Sequence, residues 1–146
     1  MKLRIAETGG WLVQGYGIEV TVPEYGYNAV RERLYAEYDK HAARPKGETF
    51  VVAWYTDRGK GHVYWMVGEA VSPQAEQPPG ALRQTIYAAS YAVVDHDPGD
   101  DLEKAWTADF YEVSHAVDLY YEGGIWFEHY PEGLDGPSEL WMRLAR

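Results

Sequence analysis

The sequence predicts an α+β domain of two β-α-β-β units. Their strands join in one antiparallel sheet, with two helices on one face and a ligand groove between the halves. Three observations lead there. Strand-like and helix-like segments recur in the same order in both halves of the 146 residues. Each half holds one amphipathic stretch with apolar residues at three- and four-residue spacing, the periodicity of a helix. And YTDRGKGHVYWM, Tyr55 to Met66, is echoed by YPEGLDGPSELWM, Tyr130 to Met142; both run from Tyr through turn chemistry to Trp-Met. One unit alone would leave a sheet face and a helix stripe exposed, and two together can bury both.

Repeat one covers about 1–72. Its first strand is WLVQGYGIEVT, Trp11 to Thr21. A helix follows from Tyr25 to His41, striped by Tyr27, Val30, Leu34 and Tyr38. The β-branched and aromatic run Glu48 to Asp57 is a strand. Asp57-Arg58-Gly59-Lys60-Gly61 turns the chain, and His62 to Val71 returns. Residues 73–84, within and just after the proline-rich run Ser72 to Ala81, connect the halves. Repeat two covers about 85–146. It opens with one strand, Thr85 to Asp95. A helix from Asp101 to Leu119 has the stripe Leu102, Trp106, Phe110, Val113 and Val117. Asp100 is its expected N-cap, with Glu103 completing a capping box. Gly124 to Tyr130 and Ser138 to Leu144 close the unit as a hairpin. Residues 1–146 thus read as a single domain.

Composition narrows the function. A net charge of −10, from 23 acidic and 13 basic residues, disfavours direct nucleic-acid binding, which needs a basic face to displace counterions. No stretch has the roughly 20 apolar residues of a membrane span, and the N-terminus lacks a signal-peptide core. There is no cysteine, which removes thiol chemistry and fits a cytoplasmic location. The 13 Tyr and 6 Trp point to a binding surface.

Alternation along the last hairpin sorts its side chains into two faces. Grouping like with like puts Ile125, Phe127, Leu140, Met142 and Leu144 on an oily face under the helices. Trp126, Glu128, Tyr130, Glu139, Trp141 and Arg143 then share the other face. In that register Tyr130 lies opposite Glu139, and Glu128 opposite Trp141. The equivalent face of repeat one shows Val51, Ala53, Tyr55, Val63, Trp65 and Val67. The result is a groove with aromatic walls and a carboxylate on one side only. An ion pair of Glu128, for instance with Arg143, is the competing account of that face.

Other chemistry finds little support. The five histidines have no HxH or HExxH spacing, so no metal is expected. The acidic run Asp95 to Asp101 fails the EF-hand positions, and helix capping accounts for it better. No P-loop, GxGxxG or GxSxG motif is present, and no cofactor is expected.

Several stretches carry a family resemblance. These are Thr85-Ile86-Tyr87 through Tyr91-Ala92-Val93-Val94, the helix around Trp106, Phe127-Glu128-His129-Tyr130, and Glu139-Leu140-Trp141. Together they resemble the GyrI-like family, the effector-binding domain of some AraC-type and MerR-type transcription regulators. The resemblance implies a groove for small, often aromatic and cationic, molecules. Glu128 matches the ligand-contacting acid, and Trp141 and Glu139 match pocket positions on the neighbouring strand. Tyr130 follows from the motif, with Tyr91, Trp65 and Trp106 as weaker matches. Tyr55 and Trp126 join the site through the face they share. The chain lacks a helix-turn-helix, so a transcription role would need a separate partner. Two alternatives follow from other members. One is a hydrolase of reactive small toxins, with Glu128 assisted by Tyr130, Tyr91 or Glu139. The other is a protein inhibitor of DNA gyrase.

Overall fold

Both amphipathic stretches form helices and the β-branched runs form strands. The computed structural model describes residues 2–21, 26–116 and 121–145. The chain runs β1 (Leu3–Thr8), β2 (Trp11–Thr21), α1 (Tyr27–Asp39), β3 (Thr49–Asp57) and β4 (His62–Ala70), then β5 (Leu82–Ile86) and β6 (Ala89–His96). Helix α2 begins as Leu102–Lys104, passes through a π turn over Ala105–Asp109 and resumes as Phe110–Ala116. The strands β7 (Tyr121–Tyr130) and β8 (Ser138–Leu144) follow. Tyr25, Val117 and Leu119, expected in the helices, lie outside the described residues.

All eight strands join one antiparallel sheet in the order β1-β6-β8-β7-β3-β4-β2-β5. Read from either end the order is the same, with β1–β4 exchanged for β5–β8. The pseudo-twofold axis therefore falls between β3 and β7. Each unit has one strand more than expected. β1 was not foreseen, and the stretch read as one strand from Thr85 to Asp95 is two strands, broken at Tyr87-Ala88. Both added strands lie at the sheet's edges and mix polar with apolar residues, so they lack the clean alternation of a half-buried strand. They also cross over: β1 pairs with β6 of the other half, and β5 with β2.

The two helices cover the same face of the sheet. Val30, Leu34 and Tyr38 of α1 pack on Val51, Ala53, Val63, Trp65 and Val67. Ala105, Trp106 and Phe110 of α2 pack on Ala92, Val94, Leu140 and Met142. The N-cap of α2 is Asp101 rather than Asp100; its carboxylate accepts from the amides of Glu103 and Lys104. Glu103 does not close a capping box. Its side chain reaches across to accept from the Asn28 amide at 3.2 Å, at the start of α1. The N-cap of α1, Gly26, offers no side-chain cap, so one helix caps the other.

The opposite face is buried as well, because the sheet curls onto it. Four strand spacings separate β2 from β8, about 19 Å on a flat sheet. Yet the Trp11 and Trp141 rings are 5.7 Å apart, edge to face. Val13, Phe50, Val52, Tyr91, Phe127 and Trp141 belong to this second core. Gly17 of β2 serves the curl, since a Cβ there would lie 1.7 Å from the Trp65 carbonyl oxygen.

Two dry faces explain the one error of register. Glu128 lies opposite Leu140, Phe127 opposite Trp141 and His129 opposite Glu139. Glu128 and Tyr130 therefore share the helix-covered face with Leu140 and Met142, while Glu139 and Trp141 are on the other. The expectation grouped aromatics with aromatics, a rule that works only when one face is wet. The Trp-Met echo is misleading too. Ten residues separate Tyr55 from Trp65 but eleven separate Tyr130 from Trp141. That extra residue turns the second Trp to the far face. The structural counterpart of Trp65, which pairs with Ala53, is Leu140, which pairs with Glu128.

Candidate functional site

Glu128 sits one position from the centre of the β3–β7 pair, opposite Val51. It is beneath both helices and 1% exposed. A carboxylate there has lost its water and must be compensated by neighbours. Three side chains do this. The Arg31 guanidinium of α1 donates through Nη1 to Oε1 at 2.5 Å. The Tyr130 hydroxyl donates to the same oxygen at 2.6 Å. The Trp106 indole donates through Nε1 to Oε2 at 2.8 Å. Trp106 stands in the π turn of α2, a distortion that recurs at functional sites.

Beside the acid, on the same face, runs a chain of rings. Tyr55 meets Trp126 at 5.6 Å, Trp126 meets Trp65 at 6.0 Å, and Trp65 meets Tyr27 at 5.2 Å, all edge to face. The second Arg31 nitrogen, Nη2, donates to the Tyr35 hydroxyl at 2.5 Å and the Tyr130 hydroxyl at 3.1 Å. The Tyr27 hydroxyl is buried with no hydrogen-bond partner among the described residues.

Burial dominates the electrostatics. It pushes the Glu128 carboxyl up to about 8, against the hydrogen bond from Tyr130, which pulls it down. Arg31, an opposite charge in contact, favours the ionised form. Tyr130 is held well above its usual phenol range by burial and then by the Glu128 charge. Tyr35 is raised by burial, with Arg31 and Arg44 pulling the other way.

Of the residues expected at the site, Glu128, Tyr130, Trp65, Trp126 and Tyr55 share the helix-covered face, and Trp106 reaches it from α2. Trp141, Tyr91 and Glu139 do not. Tyr91 is fully buried in the second core, its hydroxyl donating to the Tyr87 carbonyl. Glu139 accepts from Arg4 and meets Nδ1 of His129, whose Nε2 meets Glu48, each at 2.7 Å for the histidine contacts. Glu128 does form an ion pair, but its partner is Arg31 and not Arg143. Sequence reading missed Arg31, Tyr27 and Tyr35. The available signal was their spacing of four, which lines them along one ridge of α1 that starts at Tyr27 of its apolar stripe.

A pseudo-symmetric curled sheet with two helices closing over a buried acid is the architecture of a GyrI-like effector-binding domain. The chain belongs to the Cass2 family of integron-associated effector binding proteins, which it matches over residues 4–143. Solved structures agree in fold. The integron cassette protein VCH_CASS2 from the mobile metagenome of Vibrio cholerae superposes with a TM-score of 0.68 at 15% identity, covering 98% of this chain and 95% of that one. SAV2435, solved bound to tetraphenylphosphonium, gives 0.70 at 14% identity, covering 99% and 94%. A hydrolase from Listeria innocua gives 0.55 at 8% identity, covering 99% and 92%. No curated protein sequence matches the chain. Among the described residues no helix is long and apolar enough to cross a membrane.

Proposed function

We propose that this domain binds lipophilic aromatic cations, with Glu128 as the charge and Trp65, Trp126, Tyr55 and Tyr130 as the aromatic surround, and so sequesters or senses such compounds. The observation behind the proposal is a carboxylate 1% exposed that is met by Tyr130 and Trp106 and shares its face with Trp126, Trp65 and Tyr55. A delocalised organic cation is weakly hydrated and loses little on entering such a site. Contact with Trp or Tyr faces adds about 0.5–2 kcal/mol each. A micromolar ligand needs about −8 kcal/mol in total, within reach of one buried charge and two or three rings. The tetraphenylphosphonium bound to SAV2435 is a ligand of this class in a like fold.

The test is tryptophan-fluorescence titration with matched aromatic ligands, one cationic, one neutral and one anionic, on wild type and Glu128→Gln. Saturable quenching by the cation alone, lost in the variant, is the expected result. Equal response to all three ligands, or no effect of the substitution, would overturn the proposal.

A hydrolytic reading draws on one feature. A carboxyl held at about 8 with a phenol at 2.6 Å is a base tuned near working pH. Mass analysis of the recovered ligand separates the two readings, since a binder returns it intact and a hydrolase returns it with water added.

A further inference from the structure

We propose that Arg31 is a tethered occupant of the cation seat at Glu128, and that an incoming large aromatic cation displaces it into the cavity beside the site. The inference rests on reading Glu128 as a cation site. It adds the residue that sets affinity and selectivity.

The Arg31 guanidinium is held as a ligand would be. One nitrogen meets the buried carboxylate at 2.5 Å and the other meets two phenols, at 2.5 and 3.1 Å. The Tyr27 and Tyr35 rings flank it, with centroids 5.8 and 5.2 Å from its central carbon. An acid floor with aromatic sides suits a weakly hydrated planar cation. Here the chain supplies that cation from its own helix. The Tyr27 hydroxyl, without a partner among the described residues, offers a polar contact to an occupant of different shape.

Arg31 is also the partner best placed to leave. Arg31 is half-buried, whereas Trp106 and Tyr130 are buried. It lines a cavity of about 290 Å³ together with Asp100, Leu102, Leu134 and Asp135. Asp135 is exposed on that wall and offers a second carboxylate to a displaced guanidinium. A seat closed by its own tether weakens apparent affinity by the fraction of time it stands free. A seat open one-tenth of the time raises the apparent Kd about tenfold. Ligands must therefore outcompete a guanidinium, which selects against small hydrated cations and for large apolar ones.

The experiment measures tetraphenylphosphonium and benzamidine binding by calorimetry on wild type, Arg31→Leu and Asp135→Asn. Arg31→Leu is expected to bind tetraphenylphosphonium about tenfold or more tightly, and to gain benzamidine binding that wild type lacks. Asp135→Asn, which removes the landing carboxylate, is expected to bind more weakly than wild type. On wild type itself, the Arg31 guanidinium resonance should shift and exchange faster with solvent as tetraphenylphosphonium is added. Arg31→Leu binding equally or more weakly, or an Arg31 resonance that ignores the ligand, would overturn the inference. Wild type that binds in a Glu128-dependent way while Arg31 stays in place sinks this inference alone. Absence of binding by wild type and Arg31→Leu alike sinks the cation reading with it.

Discussion

Arg31 and Trp106 stand at equivalent places in the two halves and donate to opposite oxygens of the same carboxylate, at 2.5 and 2.8 Å. The offset between them, seventy-five positions, is the one that relates Tyr55 to Tyr130 and Ala53 to Glu128. A single acid near the axis is thus reached from both repeats. One repeat answers it with a cation and the other with a neutral N–H. The site is asymmetric because Glu128 has Ala53 as its counterpart, so only one of the two equivalent positions carries a carboxylate.

Replacing Trp106 by Phe should remove the donor to Oε2 while keeping an aromatic ring to stack on Phe110, now at 5.4 Å. A buried acceptor would then lack one partner. The expected loss is about 1.5–3 kcal/mol, read as a lower urea midpoint at unchanged slope.

Stability should fall with rising pH through the action of Glu128. In the folded chain its carboxyl is held at about 8, against an ordinary 4.5. Between those values the folded state keeps a proton that the unfolded chain has released. The contribution is fully present below pH 4.5 and is lost as pH rises to 8, an effect on the order of a few kcal/mol that Arg31 limits. Urea midpoints from pH 5 to 9 should show this decline in wild type and not in Glu128→Gln. Cation affinity should run the other way, rising with pH and levelling above 8.

Trp65 and Trp141 read alike in the sequence and should separate in the laboratory. Each replaced by Leu loses stability, by less than the ~3–5 kcal/mol of a Trp→Ala truncation. Only Trp65→Leu should also weaken cation binding, by about 2- to 30-fold if one cation–π contact is lost. Trp141 packs against Trp11 and Tyr91 on the far face, so its variant should keep wild-type affinity.

Gly17→Ala should be costly, because its Cβ would meet the Trp65 carbonyl oxygen at 1.7 Å. A loss of roughly 2 kcal/mol or more follows from forced backbone movement. Gly47→Ala, where nothing lies within 4 Å, is the control and should melt as wild type does.

Much of this architecture was legible. Helical spacing marked both helices, and the echo between halves marked the duplication. Val51, Ala53, Tyr55, Val63, Trp65 and Val67 were read correctly as one face, but as the face away from the helices, whereas α1 covers it. The Glu two residues before a Tyr drew attention to Glu128. What stayed hidden depends on long-range geometry. The edge strands β1 and β5 are ordinary mixed sequence until a neighbour pairs with them. The far face is dry only because the sheet curls, which no local pattern announces. Arg31 was not singled out: its spacing of four from Tyr27 and Tyr35 marks a ridge of α1, but only the fold shows that this ridge meets Glu128.

Each half lends its first strand to the other's sheet, so the halves are clasped like folded arms. Cutting the chain in the proline-rich connection would leave two fragments, each missing the strand that seals its own edge and holding the one its partner needs. Such fragments should reassemble when mixed and remain poorly folded apart. The same interlock would let the two pieces report on the proximity of any proteins they were fused to.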